Sequence, residues 1–528
     1  MPRYLKFLFL LIISSCALFG AREMLLEDAW YFKKGEISLA EACDPAAEMA
    51  DWQRVRVPHD YAIDKAFDMT IDSRPASQNR VKTAASGALP QFGVGWYRRT
   101  INLPESERGQ SVFVRFDGAM SGAQVYLNGQ LVCERPFGYA TFEADLTKFF
   151  KFGQDNILSV RLENPENSSR WYTGFGLYRK VQLVLRSQVR VPFGGIFVTT
   201  PQVEKEKAVV NIQMELENIS GEAKTAVLQI LIISSDGQQV GEVKTEVSLE
   251  SGLKTVEQQI ELANPQLWGL ESPSLYKALT KVNVGDETVE ELSTRFGIRS
   301  IHYDYDKGFF LNGESVKIKG LGQHHDFGPL GTAFNASAAR RILNMLKDVG
   351  ANALRTVHNP PAPELLDMCD EMGILVMDEI FDEWEQKKCE NGYNKLFKQW
   401  AAIDLRDWIR RDRNHPSVIM WSLGNELPEQ DKEMGAKNAK FLHKIVKEND
   451  PTRPTTAAMN GVLDFVAPHV DLTGCNYKQA IYPELREKFK KPIYGSETAA
   501  MLSSRGIYSF PWDKSIGLLE SQGQVSSY

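Results

Sequence analysis

The feature that most constrains this fold is a change of hydrophobic period near residue 298. Before it, short runs alternate apolar and polar residues, the two-residue period of half-buried strands. SVFVRFDGAM, AQVYLNGQLV and NILSVRLEN carry that alternation, with Asp-Gly and Asn-Gly turn signals among them. KAVVNIQMELEN, TAVLQILIISSDG and TVEQQIEL continue it. After residue 298, short apolar runs alternate with amphipathic stretches of helical period, the pattern of parallel βαβ units. At ~150 residues per domain, a chain of 528 residues holds roughly three. The expected fold class is multidomain, β plus α/β. Residues 22–188 read as a jelly-roll β-sandwich, 189–297 as an immunoglobulin-like β-sandwich, and 298–528 as a (β/α)8-type TIM barrel.

Seven barrel strands can be assigned, the first as SVKIKGLG over Ser315–Gly322, and then the pattern stops. The remaining stretch, MLSSRGIYSFPWDKSIGLLESQGQVSSY, contains no apolar strand followed by a helix. A closed barrel needs an eighth strand to complete its hydrogen bonding and fill its interior. The expectation is an incomplete barrel, from a chain that is a fragment rather than one with an improvised eighth strand.

Arg3 and Lys6 bracket a basic start, and Phe7–Ile13 is continuously apolar, so residues 1–21 read as a secretory leader rather than a membrane span. Ile13-Ser14-Ser15-Cys16 is similar to a bacterial lipobox. Lipidation at Cys16 and simple cleavage nearby both stay open. The expected location is outside the cytoplasm, periplasmic or as an outer-membrane lipoprotein, with membrane contact only through such an anchor. A net charge of −7 without a long basic block excludes nucleic acid as a partner. Cys43, Cys133, Cys369, Cys389 and Cys475 form no CxxC pair, so free, mostly buried thiols are expected rather than a zinc site.

In such barrels the reactive side chains sit where strands end. Those ends read Gln323-His324-His325-Asp326, Arg355-Thr356-Val357-His358-Asn359, Asp378-Glu379, Asn425-Glu426, Asn476-Tyr477 and Glu497. A single histidine is more often structural, and a single strand-end carboxylate commonly pairs with Lys or Arg. Recurrence at the same end of successive strands weakens that bland reading. Glu426 and Glu497 are the informative pair, because strands four and seven lie across the barrel. Two carboxyl groups flanking one bond are what glycoside hydrolysis needs: one donates a proton to the leaving oxygen, the other stabilises or attacks the anomeric carbon. Asn425, beside the acid, suits a sugar hydroxyl.

Four stretches carry a resemblance. GVGWYRRTINLP (Gly93–Pro104) and SRWYTGFGLYRKV (Ser169–Val181) resemble the N-terminal sugar-binding domain of glycoside hydrolase family 2. NALRTVHNPPAPELLDMCDEMGILVMDE (Asn352–Glu379) and RNHPSVIMWSLGNE (Arg413–Glu426) resemble its two barrel signatures. The resemblance implies that Glu426 is the general acid/base and Glu497 the nucleophile, that Asn425 contacts the 2-hydroxyl, and that Tyr477 bonds the nucleophile. It implies that Arg355, His358 and His324 line the sugar subsite. The mechanism implied is retaining, with the carboxyl groups ~5 Å apart. No cofactor is required. Some members bind Mg²⁺ or Na⁺ near the site, but no complete ligand set carries over, and no metal residue is assigned.

The chain has His358-Asn359-Pro360 where the family commonly has His-Tyr-Pro. With GLGQHHDFGPLG and MDEIFDEW, this looks most like exported bacterial β-galactosidases. The substrate expected is an oligosaccharide or glycoside with a terminal β-galactosyl unit. β-Glucuronidase, β-mannosidase, and a truncated, inactive carbohydrate-binding protein are the alternatives, and an oligomer stays open. The family's strand-eight aromatic, and the Asn-x-Lys element of its glucuronidases, lie beyond the nucleophile.

Overall fold

The structure is a computed structural model that describes residues 22–46, 49–66, 92–461 and 463–499. The leader with its Cys16 lipobox, and the stretch 501–528 searched for an eighth strand, lie outside the described residues.

The first unit is a two-sheet antiparallel sandwich. One sheet orders Arg22–Leu25, Val181–Arg186, Ser111–Phe116 and Phe142–Asp145. The other has six strands, with Gly93–Asn102 and Asp155–Asn164 paired along their full length in the centre. Trp30, Phe32, Tyr97, Phe116 and Phe175 pack between the sheets. The second unit is a smaller sandwich, and its strand Lys207–Asn218 alternates buried and more exposed residues throughout. That alternation explains why one inward face suffices to bury the apolar half of each strand.

The third unit is a parallel sheet of seven strands in chain order: Gly320–Gln323, Ala353–Thr356, Leu375–Glu379, Val418–Asn425, Thr455–Met459, Thr473–Asn476 and Ile493–Glu497. Every neighbouring pair is parallel. Helices Ala336–Asp348, Pro363–Met372, Phe397–Asp412, Glu433–Asn449 and Tyr482–Phe489 cross between successive strands. The first carries Ala339, Leu343 and Leu346 on its buried face, and Asn335 caps it by accepting from the Ala338 amide at 2.9 Å. The helix after strand two starts with Pro363 at its first position and ends on Gly373 at φ +66°. A Cβ at Gly373 would collide with the Leu270 carbonyl, so the glycine also lets the second domain approach.

One strand differs from the sequence expectation. The first barrel strand, read over Ser315–Gly322, begins its ladder only at Gly320. Ser315 instead pairs with Phe310 in a separate three-stranded antiparallel sheet that leads into the barrel. The alternating Val316-Lys317-Ile318-Lys319 run satisfies either role by period alone. The thiols fit the expectation: Cys43, Cys369, Cys389 and Cys475 are buried and unbridged, and Cys133 is half-buried.

The domains are stitched by polar contacts at backbone level. Asp60 of the jelly roll accepts from Thr332 N at 2.9 Å and Thr332 Oγ1 at 3.0 Å. Arg179 donates to the Pro360 carbonyl at 2.7 Å, just past strand two. From the second sandwich, Trp268 Nε1 donates to Asp370 O at 2.8 Å, and from the segment just after it Arg299 Nη2 donates to Val418 O at 2.7 Å. Phe137 and Tyr139 of the jelly roll belong to the same buried cluster as Phe381 and Tyr393 of the barrel. The first domain is thereby fixed against the rim where the strands end.

One buried group lacks such partners. Glu290, in the strand Glu287–Phe296, is fully buried, and neither carboxyl oxygen accepts a hydrogen bond. Burial pushes its pKa up to about 8, against the pull of Arg186 and Arg190. The folded state therefore keeps a proton that the unfolded chain releases near 4.5. Stability conferred by that proton is complete below the unfolded value and is lost as pH rises towards the folded one. Glu290→Gln should match the parent chain near pH 4 and exceed it at pH 8 by on the order of a few kcal/mol. Urea midpoints at the two pH values test this; parallel pH profiles for both proteins would contradict it.

Candidate active site

The strand Val418–Asn425 is buried at every position, which is why it reads as one apolar run. Gly424 is required by close approach: a Cβ there would lie 2.9 Å from Trp384 Nε1 and from a Leu427 methyl. Asn425 is buried, and Glu426 leaves the strand in the left-handed region at φ +43°, its amide donating to Ala458 O at 2.6 Å. Tyr477 leaves strand six in the same way, at φ +56°, its amide donating to Glu497 O at 2.7 Å. Such a conformation costs a non-glycine residue ~1–3 kcal/mol, and here it turns both side chains out over the same end of the sheet.

Arg355 is the hub. Its buried guanidinium donates to Glu379 Oε2 at 2.8 Å, to Glu497 Oε1 at 2.7 Å, and to Asn425 Oδ1 at 2.9 Å. Glu379 also accepts from Ser422 Oγ at 2.6 Å and contacts His358 Nδ1 at 2.7 Å. Burial disfavours the Glu379 carboxylate, but Arg355, His358 and Ser422 outweigh it and hold its pKa below the ordinary value. Burial likewise disfavours the charge on Arg355, and Glu379 and Glu497 reverse that, raising its pKa.

Glu497 is gripped from two sides, by Arg355 on Oε1 and by the Tyr477 hydroxyl on Oε2. Burial pushes the Tyr477 phenol up, and its bond to Glu497 pushes it further, so it acts as a donor. Glu426 is held more loosely. Asn476 Nδ2 donates to its Oε1 at 3.1 Å, while Ser496 Oγ donates to Asn476 Oδ1 at 2.6 Å and fixes that amide. Asn425 Nδ2 donates to Asp382 Oδ1 at 3.1 Å, so its two ends are oriented by Arg355 and Asp382. His324 reaches the group through rings: its centroid lies 4.5 Å from Trp171 and 5.5 Å from His358. Burial, then the neighbouring His358 and His325, lowers its pKa to about 3, so His324 is neutral.

The structure thus brings together all seven residues that the sequence singled out: Glu426, Glu497, His324, Arg355, His358, Asn425 and Tyr477. Sequence reasoning missed a second ion cluster beside them. Asp382 lies just past strand three and bonds Lys388 at 2.9 Å and, bidentately, Arg170 of the jelly roll at 2.6 and 2.9 Å. Burial opposes the Asp382 charge, but Lys388 and Arg170 hold its pKa well below the usual carboxylate range. Arg170 and Trp171 lie within the SRWYTGFG motif, which was legible as a motif but not as part of a barrel site. Among the described residues, Asp367, Asp370 and His415 are the three side chains close enough to hold an ion. Their donors and acceptors are already matched: His415 meets Asp370 at 2.6 Å, Ser417 N donates to Asp370 at 3.0 Å, and Arg295 pairs with Asp367.

Three family models match in chain order. They are the sugar binding domain of glycosyl hydrolases family 2 over residues 26–186, a model described as glycosyl hydrolases family 2 over 192–299, and the family's TIM barrel domain over 305–524. The chain belongs to glycosyl hydrolase family 2. A Bacteroides ovatus β-galactosidase is 37% identical across 98% of this chain, and a Bacteroides fragilis β-glucuronidase is 28% identical across 88%. The chain spans 65% of the length of each of these relatives. The crystal structure of a family 2 member from Bacteroides cellulosilyticus superposes with a TM-score of 0.85 at 34% identity, covering 90% of this chain and 62% of that one. A Bacteroides uniformis β-glucuronidase covalently bound to cyclophellitol-6-carboxylate aziridine gives 0.74 at 27%, covering 87% and 55%.

The family 2 site contains one buried ion pair whose rupture is predictable. Arg355→Met leaves Glu379 buried without its cation, and should lower unfolding free energy by about 3–5 kcal/mol. Urea denaturation checks this. A loss below about 1 kcal/mol, the scale of an exposed pair, would show that Arg355 is not the hub.

Proposed function

We propose that the protein is a retaining β-glycosidase that removes a terminal sugar from the non-reducing end of a glycoside, with β-galactosides as its substrates. The observation that carries this reading is the unequal treatment of two strand-end carboxyls. Both oxygens of Glu497 receive donors, Arg355 and the Tyr477 hydroxyl. A carboxyl that accepts on both oxygens suits an attacking carboxylate, since a proton of its own would meet one of those donors. Among the described residues Glu426 receives a single side-chain hydrogen bond, from the Asn476 amide at one oxygen, and the other suits the proton that a leaving group takes. Glu497 is the nucleophile in this reading and Glu426 the general acid, then base. Asn425 binds the 2-hydroxyl of the reacting sugar, and His324, His358 and Trp171 line its pocket. The covalent route is supported by the Bacteroides uniformis relative, which carries its cyclophellitol-derived group covalently.

Charge favours a neutral sugar over a uronic acid. Among the described residues around the pair, each cation is answered by a carboxylate: Arg355 by Glu379 and Glu497, and Arg170 and Lys388 by Asp382. A glucuronide would bring a further carboxylate, and none of these cations is left unpaired to receive it. The Bacteroides fragilis relative named a β-glucuronidase keeps that substrate as the second reading. The basic-then-apolar leader supports export, so that the enzyme meets its glycosides outside the cytoplasm.

A nitrophenyl-glycoside panel tests the sugar: turnover of the β-galactoside should lead, and a β-glucuronide turned over faster would move the assignment. Glu497→Gln should lower kcat by at least ~10³ for every leaving group. Glu426→Gln should cost roughly 10²–10⁴ with a poor alkyl leaving group and much less with dinitrophenol, which departs without a proton. Equal losses for the two leaving groups would refute the acid role. The first product seen by NMR should be the β-anomer; an initial α-anomer would refute retention.

A further inference from the structure

Lys388 stands in the loop after strand three, and no step of the proposed reaction uses it. Its side chain is 9% exposed. Its Nζ donates to Asp382 Oδ1 at 2.9 Å and to the Asn425 backbone carbonyl at 2.6 Å. Asp382 already has a bidentate partner in Arg170, so ion pairing alone does not account for a second buried cation there. Burial lowers the Lys388 pKa below the ordinary lysine value, against the pull of Asp382. A buried charge is kept only where its contacts are good. The contact that Arg170 does not duplicate is the Asn425 carbonyl.

That carbonyl belongs to the peptide joining Asn425 to Glu426. The other end of the same peptide, the Glu426 amide, donates to Ala458 O of strand five at 2.6 Å. Both polar groups of one peptide plane are therefore held, one by an ammonium and one by a neighbouring strand. Directly after this plane Glu426 takes its left-handed conformation at φ +43°, which persists only where the surroundings impose it. A tilt of the plane would swing the Glu426 carboxyl away from Asn476. The Asn425 side chain closes the ring, donating to the same Asp382 Oδ1 at 3.1 Å.

Lys388 is itself placed by a second carboxyl. Glu383 is buried and accepts from the backbone amides of Lys388, of Cys389 at 3.3 Å and of Asn394 at 3.2 Å. A Cβ at Gly392 would fall 1.7 Å from Glu383 Oε1, so the loop closes around this carboxyl only with glycine there. Three amides turned onto one buried group wrap the loop and return Lys388 to the end of strand four.

We propose that Lys388 is a positioning residue for the general acid: its ammonium clamps the peptide plane between Asn425 and Glu426, and so aims the Glu426 carboxyl at the leaving oxygen. Glu383 acts one step further back, by fixing the loop that carries Lys388. The role rests on the reading of Glu426 as the acid; the clamp itself rests on the contacts alone.

The test uses the full chain, with the methyl and dinitrophenyl glycosides of whichever sugar it turns over fastest. kcat/KM reports transfer of the sugar to the enzyme, in which methanol needs a proton to depart and dinitrophenol does not. Lys388→Met should lower kcat/KM for the methyl glycoside by about 10- to 100-fold, and for the dinitrophenyl glycoside by less than about threefold. A variant that is only less folded loses both alike. Glu383→Gln, which keeps Lys388 and removes one acceptor from the loop, should show the same split at smaller size. By hydrogen exchange, the Glu426 amide of Lys388→Met should exchange at least about tenfold faster, while Met420 and Trp421 keep the parent protection. Losses equal for the two glycosides in both variants, or a Glu426 amide that exchanges as in the parent, overturn the proposal. If Glu426→Gln shows the split and Lys388→Met does not, the proposal falls and the acid reading stands. Equal losses in Glu426→Gln, or a parent chain that turns over neither glycoside, overturn the acid reading and the proposal with it.

Discussion

The buried guanidinium of Arg355 is the contact on which the rest of the site depends. It stands on strand two and reaches strand three through Glu379, strand four through Asn425 and strand seven through Glu497. A planar, permanently charged fork can serve several acceptors at fixed angles, which an ammonium cannot. Burying that charge is expensive unless it is fully answered. Glu379 supplies most of the answer, and it is itself held by Ser422 and His358. The network thus spans the barrel mouth and fixes the relative positions of elements far apart in the chain.

A second network carries the first domain into the same site. Arg170 and Trp171 come from the jelly roll, yet Arg170 meets Asp382 of the barrel and Trp171 packs on His324. The contacts Asp60–Thr332 and Arg179–Pro360 hold the two domains in that register. The site is therefore a property of two domains. Loss of the jelly roll would remove a wall of the pocket as well as a neighbour of the barrel.

Much of this was legible in the sequence for definite reasons. Parallel strands buried on both faces show as apolar runs, so their ends, and hence Arg355, Glu379, Asn425, Glu426, Tyr477 and Glu497, could be read directly. What escaped was set by docking rather than period. Asp382 and Lys388 sit in the loop after strand three, and no spacing rule says which loop folds over the mouth. Arg170 belongs to another domain, and its partner is 212 residues away. The start of strand one is not legible, because Val316–Lys319 alternates like a strand while only Gly320 onward pairs with strand two. Similarly, the left-handed backbone at Glu426 and Tyr477 has no composition signal, since neither residue is Gly or Asn.

In the proposed reaction Glu497 forms the covalent bond to the sugar. It is tested most directly by trapping the enzyme with a 2-deoxy-2-fluoro-galactosyl donor bearing a fast leaving group, digesting it, and locating the added mass by tandem spectrometry. One sugar per chain is expected, attached at Glu497, with Glu426 and Glu379 unmodified. Label on Glu426 or Glu379, or unlabelled protein that still turns over the donor, would contradict it.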